Sequence, residues 1–380
     1  MGDRSEITLR GITWDHLRGY QPLAASAGPY AAVAGVHIEW EKRSLKDFGD
    51  APVDVLADQY DLLIIDHPHV GLAAESGSLL PLDTCLDAET LALLAEQSAG
   101  PSHASYAYAG HQWALAVDAA MQTSAYRPDL LDESLPRTWQ DVLALGERLR
   151  SQGRFMALPL IPTDCICSFL TLCASRGDPP GRGGLLVGEE AGRAALQWLI
   201  DAAALCHRDS LAWNPIRMLD HMGRANDVAY CPLTFCYSNY ARTGYVPKLV
   251  RFAMIPDGQG ALLGGAGFAV SARCPYPEAA CDYGAWLCGA EIQRTLYVKS
   301  GGQPGNAVAW LDAAANSLTN NFFRETWDTL RGAYVRPRHR GFVPFQEAAG
   351  DLIHGLLRGR GTIESCLGDL MELYEQSLAG

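Results

Sequence analysis

At 380 residues the chain exceeds the usual size of a single hydrophobic core, so two lobes of roughly 150 to 200 residues each are expected. Apolar residues make up 48% of the chain and charged residues 19%, and no apolar run approaches the roughly 18 to 20 residues that cross a bilayer, which excludes membrane insertion. A formal net charge of -13 repels phosphate backbones and excludes nucleic acid as a partner.

The start of the chain and its cysteines bear on where the protein works. Residues 1–6 lead directly into an alternating run and contain no basic segment, apolar segment or cleavage site of the kind found in signal peptides. Eleven cysteines are an odd number, so oxidation would leave at least one thiol unpaired. We therefore predict a cytoplasmic location, or a periplasmic one if a signal peptide has been removed.

The first third of the chain alternates strand and helix patterns. In chain order the predicted elements are a strand at 7–14, a helix at 20–33, a strand at 36–40, a helix at 53–59 and a strand at 60–66. Such βαβ units imply a parallel sheet with right-handed crossovers and helices on both faces. Ligands of open sheets of this kind bind at the carboxyl ends of the strands.

The remaining two thirds carry longer helical patterns and shorter strands. The predicted elements are a helix at 88–97, a strand at 113–117, a helix at 139–149 capped by Thr138, a loop at 177–188, helices at 190–207 and 214–223, an apolar segment at 228–235, and strands at 250–255 and 268–271. The four residues directly before the last strand, 264–267, are three glycines and an alanine. We predict a tight turn there.

Several short motifs follow one another in an order that is typical of one family. They are the apolar strand 60–66, the L-x-P-L-D step at 79–83, the crossing segment 108–131, the P-x-T-W helix start at 136–139, and the final helix with Ala280, Trp286, Gln293 and the G-G-x-P step at 301–304. Together they make the chain similar to the extracellular solute-binding proteins of carbohydrate-type ABC transporters.

This resemblance implies an α/β, two-lobed, type II periplasmic-binding-protein-like fold, in which each lobe is a sheet flanked by helices and the ligand cleft lies between the lobes. One lobe would be residues 1–118 with about 260–330, and the other 119–259 with about 331–380. It further implies that a small polar organic solute, sugar-like or a related metabolite, is bound by hinge closure. No cofactor is implied, and an ABC permease would be a partner only of an exported form.

Polar residues follow the first and third predicted strands, at what should be the same edge of the sheet. They are Trp14, Asp15 and His16, and then Asp66, His67 and His69. If the third strand continues, its two histidines point the same way and could begin a metal site. Two ligands do not make a site, so no metal is assigned. The alternatives are contact with the ligand and, for Asp66, capping of the next helix.

Three further residues are expected to touch ligand from other segments. Asp118 follows a predicted strand at a lobe crossing, where a carboxylate can accept bonds from hydroxyls or cap a hinge. Tyr237 lies in a polar and aromatic turn after the apolar segment 228–235, and Gly265 belongs to the predicted glycine turn. Trp14 could stack on a flat ligand, whereas Trp113 and Trp213 are as well explained as half-buried core.

A cytosolic enzyme on the same scaffold is the alternative to a binding protein. Histidine has the intrinsic pKa for general acid–base work. In that hypothesis His67, His69, His16 and Asp66 would be the catalytic residues, with Asp15 beside them, in acid–base or metal-assisted chemistry.

Overall fold

In a computed structural model, which describes residues 7–44, 53–131 and 134–379, the chain divides into two compact units. The first unit comprises residues 1–119 and 264–317, and the second comprises residues 120–263 and 318–380. The last division lies before the predicted boundary at 330. The reason is that Phe322 packs on Phe252 of the second unit, at 5.1 Å between ring centroids.

Strands and helices occur along the whole described chain. The strands are β1 Ile7–Trp14, β2 Val36–Arg43, β3 Leu62–Ile65, β4 Ala107–Tyr108, β5 His111–Gln112, β6 Leu115–Tyr126, β7 Phe155–Met156, β8 Val228–Phe235, β9 Arg251–Ala253 and β10 Leu263–Val270. The helices are Leu17–Ala34, Val53–Ala57, Val70–Ser76, Ala88–Glu96, Ser102–Ser105, Trp139–Ser151, Pro162–Ser175, Glu189–Leu205, Pro215–Arg224, Pro277–Cys288, Ala290–Ile292, Ala307–Leu311, Ala313–Leu318, Phe322–Arg331, Phe342–Leu357 and Ile363–Leu378. Among the described residues, no helix is both long enough and apolar enough to cross a membrane.

The sheet of the first unit has the order β2-β1-β3-β10, followed by β6. Strand β1 pairs in parallel with both β2 and β3, which confirms the parallel arrangement predicted for the first third of the chain. Strand β10 comes from the second segment of the unit and pairs antiparallel with β3.

Strand β3 shows why a continuous apolar run forms the centre of this sheet. Leu62 and Ile64 belong to one hydrophobic cluster, whereas Leu63 and Ile65 belong to another. Successive side chains of a strand point to opposite faces, so both faces of the sheet are covered. The buried strand therefore needs apolar residues at every position.

The second unit has a small sheet and most of the long helices. The second part of β6 pairs antiparallel with β8 and with β9, and β7 pairs in parallel with β8. The helix Trp139–Ser151 begins, as predicted, with Thr138 as its cap, and Thr138 forms a capping box with Asp141. Its Trp139 packs against Trp198 of the helix Glu189–Leu205, at 5.1 Å between ring centroids.

The tight turn predicted at 264–267 is wrong. These residues lie inside β10, which begins at Leu263. Gly265 has a φ of 106°, a conformation that residues with a side chain rarely adopt. At Gly267 a Cβ atom would lie 2.5 Å from the ring of Tyr106, so glycine is required there by close packing rather than by a turn.

Candidate functional site

Asp15 is the first residue after β1, and its side chain is open to solvent. Its carboxylate accepts a hydrogen bond from Lys42 Nζ at 2.8 Å, and both side chains are about half exposed. Its backbone N–H donates to the carbonyl oxygen of Arg43 at 2.6 Å. The ends of β1 and β2 therefore place a carboxylate and an ammonium group side by side, both open to solvent.

His16 begins the helix Leu17–Ala34. Its Nδ1 accepts a hydrogen bond from the backbone N–H of Arg18 at 3.0 Å, which makes His16 the N-cap residue of that helix. The pKa of His16 is lowered to about 4: burial is the largest cause, the nearby Arg18 charge adds to the shift, and Asp15 opposes it. The imidazole is therefore neutral near pH 7.

Asp66 and the two histidines after it form a turn. The strand β3 ends at Ile65, and His67–His69 is a short 3-10 helix in which Asp66 accepts a hydrogen bond from the backbone N–H of His67 at 2.8 Å. The expectation that the strand continues, with both histidines pointing the same way, is wrong. Pro68 has no N–H to donate to a sheet, and capping by Asp66 favours the helical turn instead.

The two histidines of this turn are enclosed. Nδ1 of His67 lies 3.2 Å from Oδ1 of Asp66, and the His67 side chain has no exposed surface. Its ring meets the ring of Tyr106 edge-on, at 6.3 Å between centroids. His69 is 7% exposed, whereas the Asp66 side chain is 24% exposed. Asp66 is therefore the member of this group that solvent reaches most readily.

Arg43 links the ends of the neighbouring strands, and it was not among the residues predicted from the sequence. It stands opposite Trp14 in the parallel pairing of β1 and β2. Its guanidinium donates a long hydrogen bond of 3.5 Å to the carbonyl oxygen of Ile64 in β3. The alternation from Val36 to Trp40, if extended by three residues, would have placed Arg43 at this edge.

Asp118 is deeply buried and is paired with Arg18, a second residue that was not predicted from the sequence. Nε of Arg18 donates to Oδ2 of Asp118 at 2.8 Å, and a second guanidinium nitrogen donates to Oδ1. The predicted strand end at Val117 is wrong, because Asp118 lies inside β6. Burial raises the pKa of Asp118, and the Arg18 guanidinium opposes that shift and compensates the carboxylate.

Trp14 lies in the core of the first unit. Only 4% of its surface is exposed, and it belongs to the same hydrophobic cluster as Leu23. A Cβ atom at Gly19 would lie 2.3 Å from the indole, so the ring packs directly on the first turns of the helix Leu17–Ala34. Contact between this ring and a ligand stays a prediction.

The predicted site residues fall into separate groups. His16, Arg18 and Asp118 form a continuous hydrogen-bonded chain, and Asp66 contacts His67. Tyr237 belongs to the second unit, where it is 7% exposed. Two tryptophans were left between ligand contact and core by the sequence. Nε1 of Trp113 donates to the carbonyl oxygen of Tyr108 at 2.9 Å, and Trp213 stacks on His207.

The fold of the chain is shared with solute-binding proteins of known structure. Maltose-bound MalE3 of T. maritima has a TM-score of 0.83 at 17% identity, with 97% of this chain and 99% of that chain covered. The ABC transporter solute-binding protein from Thermotoga lettingae TMO bound with α-D-tagatose has a TM-score of 0.83 at 16% identity, covering 98% and 100%. One from Agrobacterium radiobacter K84 in complex with ribitol has a TM-score of 0.80 at 16% identity, covering 97% and 98%. The predicted fold class, an α/β type II periplasmic-binding-protein-like fold, is confirmed.

The chain belongs to the family of bacterial extracellular solute-binding proteins. The model of that family matches residues 30–322. The resemblance drawn from the order of the sequence motifs is thereby confirmed. No curated protein matches the chain.

Proposed function

We propose that this protein binds a small polar organic solute with the hydroxyl chemistry of a sugar or polyol. The observation that carries the proposal is membership of the solute-binding family, together with a fold match over almost the whole chain. The matching structures contain maltose, tagatose, ribitol and mannitol as bound ligands. These ligands share several hydroxyl groups and carry no charge.

The groups at the strand ends of the first unit have the chemistry that such a solute needs. Hydroxyl groups donate readily to carboxylates, and these charge-assisted bonds are roughly twice as strong as neutral ones. We assign the accessible carboxylates of Asp15 and Asp66 as acceptors. His16 is proposed as a neutral partner beside them, His67 and His69 as further hydrogen-bonding partners, and Arg43 as a donor.

Four residues have other proposed roles. Trp14 and Asp118 are proposed to support the site from the core, because both are almost fully buried. Tyr237 and Gly265 are proposed as contacts through an aromatic ring and through close backbone approach, respectively.

A solute panel tests the proposal, and the chain offers a matched control. Calorimetry with maltose, tagatose, ribitol and mannitol should give binding by at least one of them, and native mass spectrometry should reveal any solute retained through purification. In Asp15→Asn the Kd should rise roughly five-fold to a hundred-fold, which corresponds to 1–3 kcal/mol. Asp58→Asn is the matched control, because Asp58 makes a comparable exposed pair with Arg273 at 2.9 Å. Asp58 is not among the proposed site residues, so this substitution should leave the Kd unchanged.

The outcomes separate the function from the site. If no sugar or polyol binds, the proposed function is wrong. If a solute binds with the same Kd in Asp15→Asn, Asp66→Asn and the control, the function holds and the strand-end site is wrong.

Acid–base catalysis by the histidine cluster is not proposed. A general base works best when its pKa lies near the working pH, whereas the pKa of His16 is lowered to about 4. His67, the other central member, has no exposed surface. These properties suit fixed hydrogen-bonding groups better than groups that exchange protons with a substrate.

Closure and location complete the proposal. Hinge closure on the solute should reduce the radius of gyration in scattering measurements with and without ligand.

The cytoplasmic prediction rests on the cysteines: all eleven lie within the described residues as free thiols, and ten of them are buried. The family, in contrast, is one of extracellular proteins. Cell fractionation of the native gene product decides between a cytoplasmic and an extracellular location. An exported form would have an ABC permease as partner.

A further inference from the structure

Three potential metal ligands from separate segments meet in the second unit. His207 follows the helix Glu189–Leu205, His221 lies in the last turn of the helix Pro215–Arg224, and Asp227 directly precedes β8. Nε2 of His221 lies 2.7 Å from Oδ1 of Asp227, and Nε2 of His207 lies 3.3 Å from Oδ2 of the same carboxylate. One ligand atom from each residue falls within 4.8 Å of the other two.

Trp213 holds the two imidazoles in place. Its ring stacks on His207 at 4.8 Å between centroids with an interplanar angle of 4°. The same indole lies 4.6 Å from His221 at 37°. The backbone N–H of His207 donates to the carbonyl oxygen of Met156 at 2.8 Å, which fixes the residue beside β7. Both rings are therefore oriented before any ion binds.

A buried arginine fixes the segment that leads to Asp227. Arg127 has no exposed side-chain surface, and its guanidinium donates to the carbonyl oxygen of Ala225 at 2.5 Å, to the carbonyl oxygen of Met222 and to Oδ1 of Asn226 at 3.1 Å. The carbonyl oxygen of Asp227 accepts from the backbone N–H of Phe155 at 2.7 Å. The carboxylate therefore stands on an ordered turn.

We propose that His207, His221 and Asp227 bind one divalent transition-metal ion, Zn²⁺ or a similar imidazole-preferring ion, with at least one position left for water. Metal–ligand bonds of about 2.0–2.1 Å in a tetrahedral site separate neighbouring ligand atoms by roughly 3.3–3.4 Å. The 3.3 Å between Nε2 of His207 and Oδ2 of Asp227 already matches this separation. The 2.7 Å from His221 is to the other carboxylate oxygen, Oδ1, so binding through one oxygen requires the side chains to shift.

The surroundings fit an ion that enters from solvent. The side chain of His207 is 9% exposed, whereas those of His221 and Asp227 are 27% and 38% exposed, which gives access to the ion and its water. Two nitrogens and one oxygen favour zinc, nickel or copper over magnesium and calcium.

Asp209 lies beside the ring of His207. Its backbone N–H donates a hydrogen bond to Nδ1 of His207 at 3.2 Å, and its Oδ2 lies 3.8 Å from the same nitrogen. Asp209 therefore helps to hold the imidazole with Nε2 directed at Asp227.

Calorimetry and cobalt spectroscopy on the full chain test this site. Protein without an affinity tag is stripped with chelator, dialysed and titrated with ZnCl₂, and CoCl₂ provides an absorption spectrum of the ligand field. We expect one ion per chain, and a loss of affinity of ten-fold or more in His207→Ala, His221→Gln and Asp227→Asn. MgCl₂ and CaCl₂ should not bind. His111→Ala is the matched control, because His111 and Asp83 form a two-membered pair at 2.8 Å.

A fluorescence measurement reports on the same position. Binding of Ni²⁺ or Cu²⁺ should quench tryptophan emission, and Trp213→Phe should remove most of the quenching while the ion still binds. Circular dichroism checks that each variant is folded, and His221→Gln, on the helix surface, serves if His207→Ala does not fold. Failure of Zn²⁺, Co²⁺ and Ni²⁺ to bind the wild type, or equal affinity in His221→Gln and the wild type, overturns the proposal.

Discussion

Replacing Asp118 by alanine should strongly destabilise the first unit. The Arg18 and Asp118 side chains are 5% and 0% exposed, so the substitution leaves a guanidinium buried without its carboxylate. Removal of one partner of a buried pair costs about 3–5 kcal/mol. For a domain of this size, that loss lowers the Tm of the first unit by roughly 6–20 °C. Differential scanning calorimetry and urea titration measure both quantities.

An exposed ion pair in the same sheet provides the control. Arg10 and Glu41 lie 2.8 Å apart, each 51% exposed, and Glu41→Ala should cost no more than about 1 kcal/mol. Arg18→Met combined with Asp118→Ala should regain part of the lost stability, because no charge is left unpaired. If Asp118→Ala costs no more than Glu41→Ala, Asp118 is not the stabilising partner of Arg18 and burial does not set the cost of losing it.

Two further substitutions test the first unit. The pKa of His16 is about 4 in the folded chain and 6.5 in the unfolded chain. As the pH falls from 6.5 to 4, the unfolded state therefore binds a proton that the folded state does not. The free energy of unfolding falls by up to about 3 kcal/mol over this range. His16→Asn keeps the cap but does not titrate. In urea titrations from pH 7 to 4, this variant should lose less unfolding free energy than the wild type or the exposed control His37→Asn. An equal dependence of stability on pH in all three proteins would contradict this prediction. Gly267→Ala should cost about 1–3 kcal/mol because its Cβ overlaps the ring of Tyr106, whereas Gly28→Ala, with nothing within 4 Å of its Cβ, should be neutral or stabilising. If Gly267→Ala left the Tm of thermal unfolding unchanged, β10 would have to shift easily to make room for the added methyl group.

Patterns with a short period in the sequence predicted the local elements well. Strand β1 has the predicted bounds, and the helix that begins at Trp139 starts with the predicted cap. Both depend on neighbouring residues: alternation for a half-buried strand and a Thr138 side chain three residues from its partner. The parallel pairing of the first strands followed from the order of the elements alone.

Contacts between distant residues could not be predicted in the same way. Arg18 and Asp118 are 100 positions apart, and nothing near either residue indicates a partner. The same holds for His207, His221 and Asp227, which come from three separate segments of the chain. At the end of β3 the error was local, because Pro68 and the cap from Asp66 outweighed the continuation of the strand.

The place of β10 in the first sheet has a consequence for synthesis of the chain. Strand β3 ends at Ile65, but the neighbour that completes one of its edges begins only at Leu263. At 5–20 residues per second, a ribosome needs roughly 10–40 s to make the intervening 200 or so residues. Throughout that time an apolar strand has an open edge, which is a template for pairing with other nascent chains. Chaperone binding to the first 120 or so residues should therefore be strongest before β10 emerges.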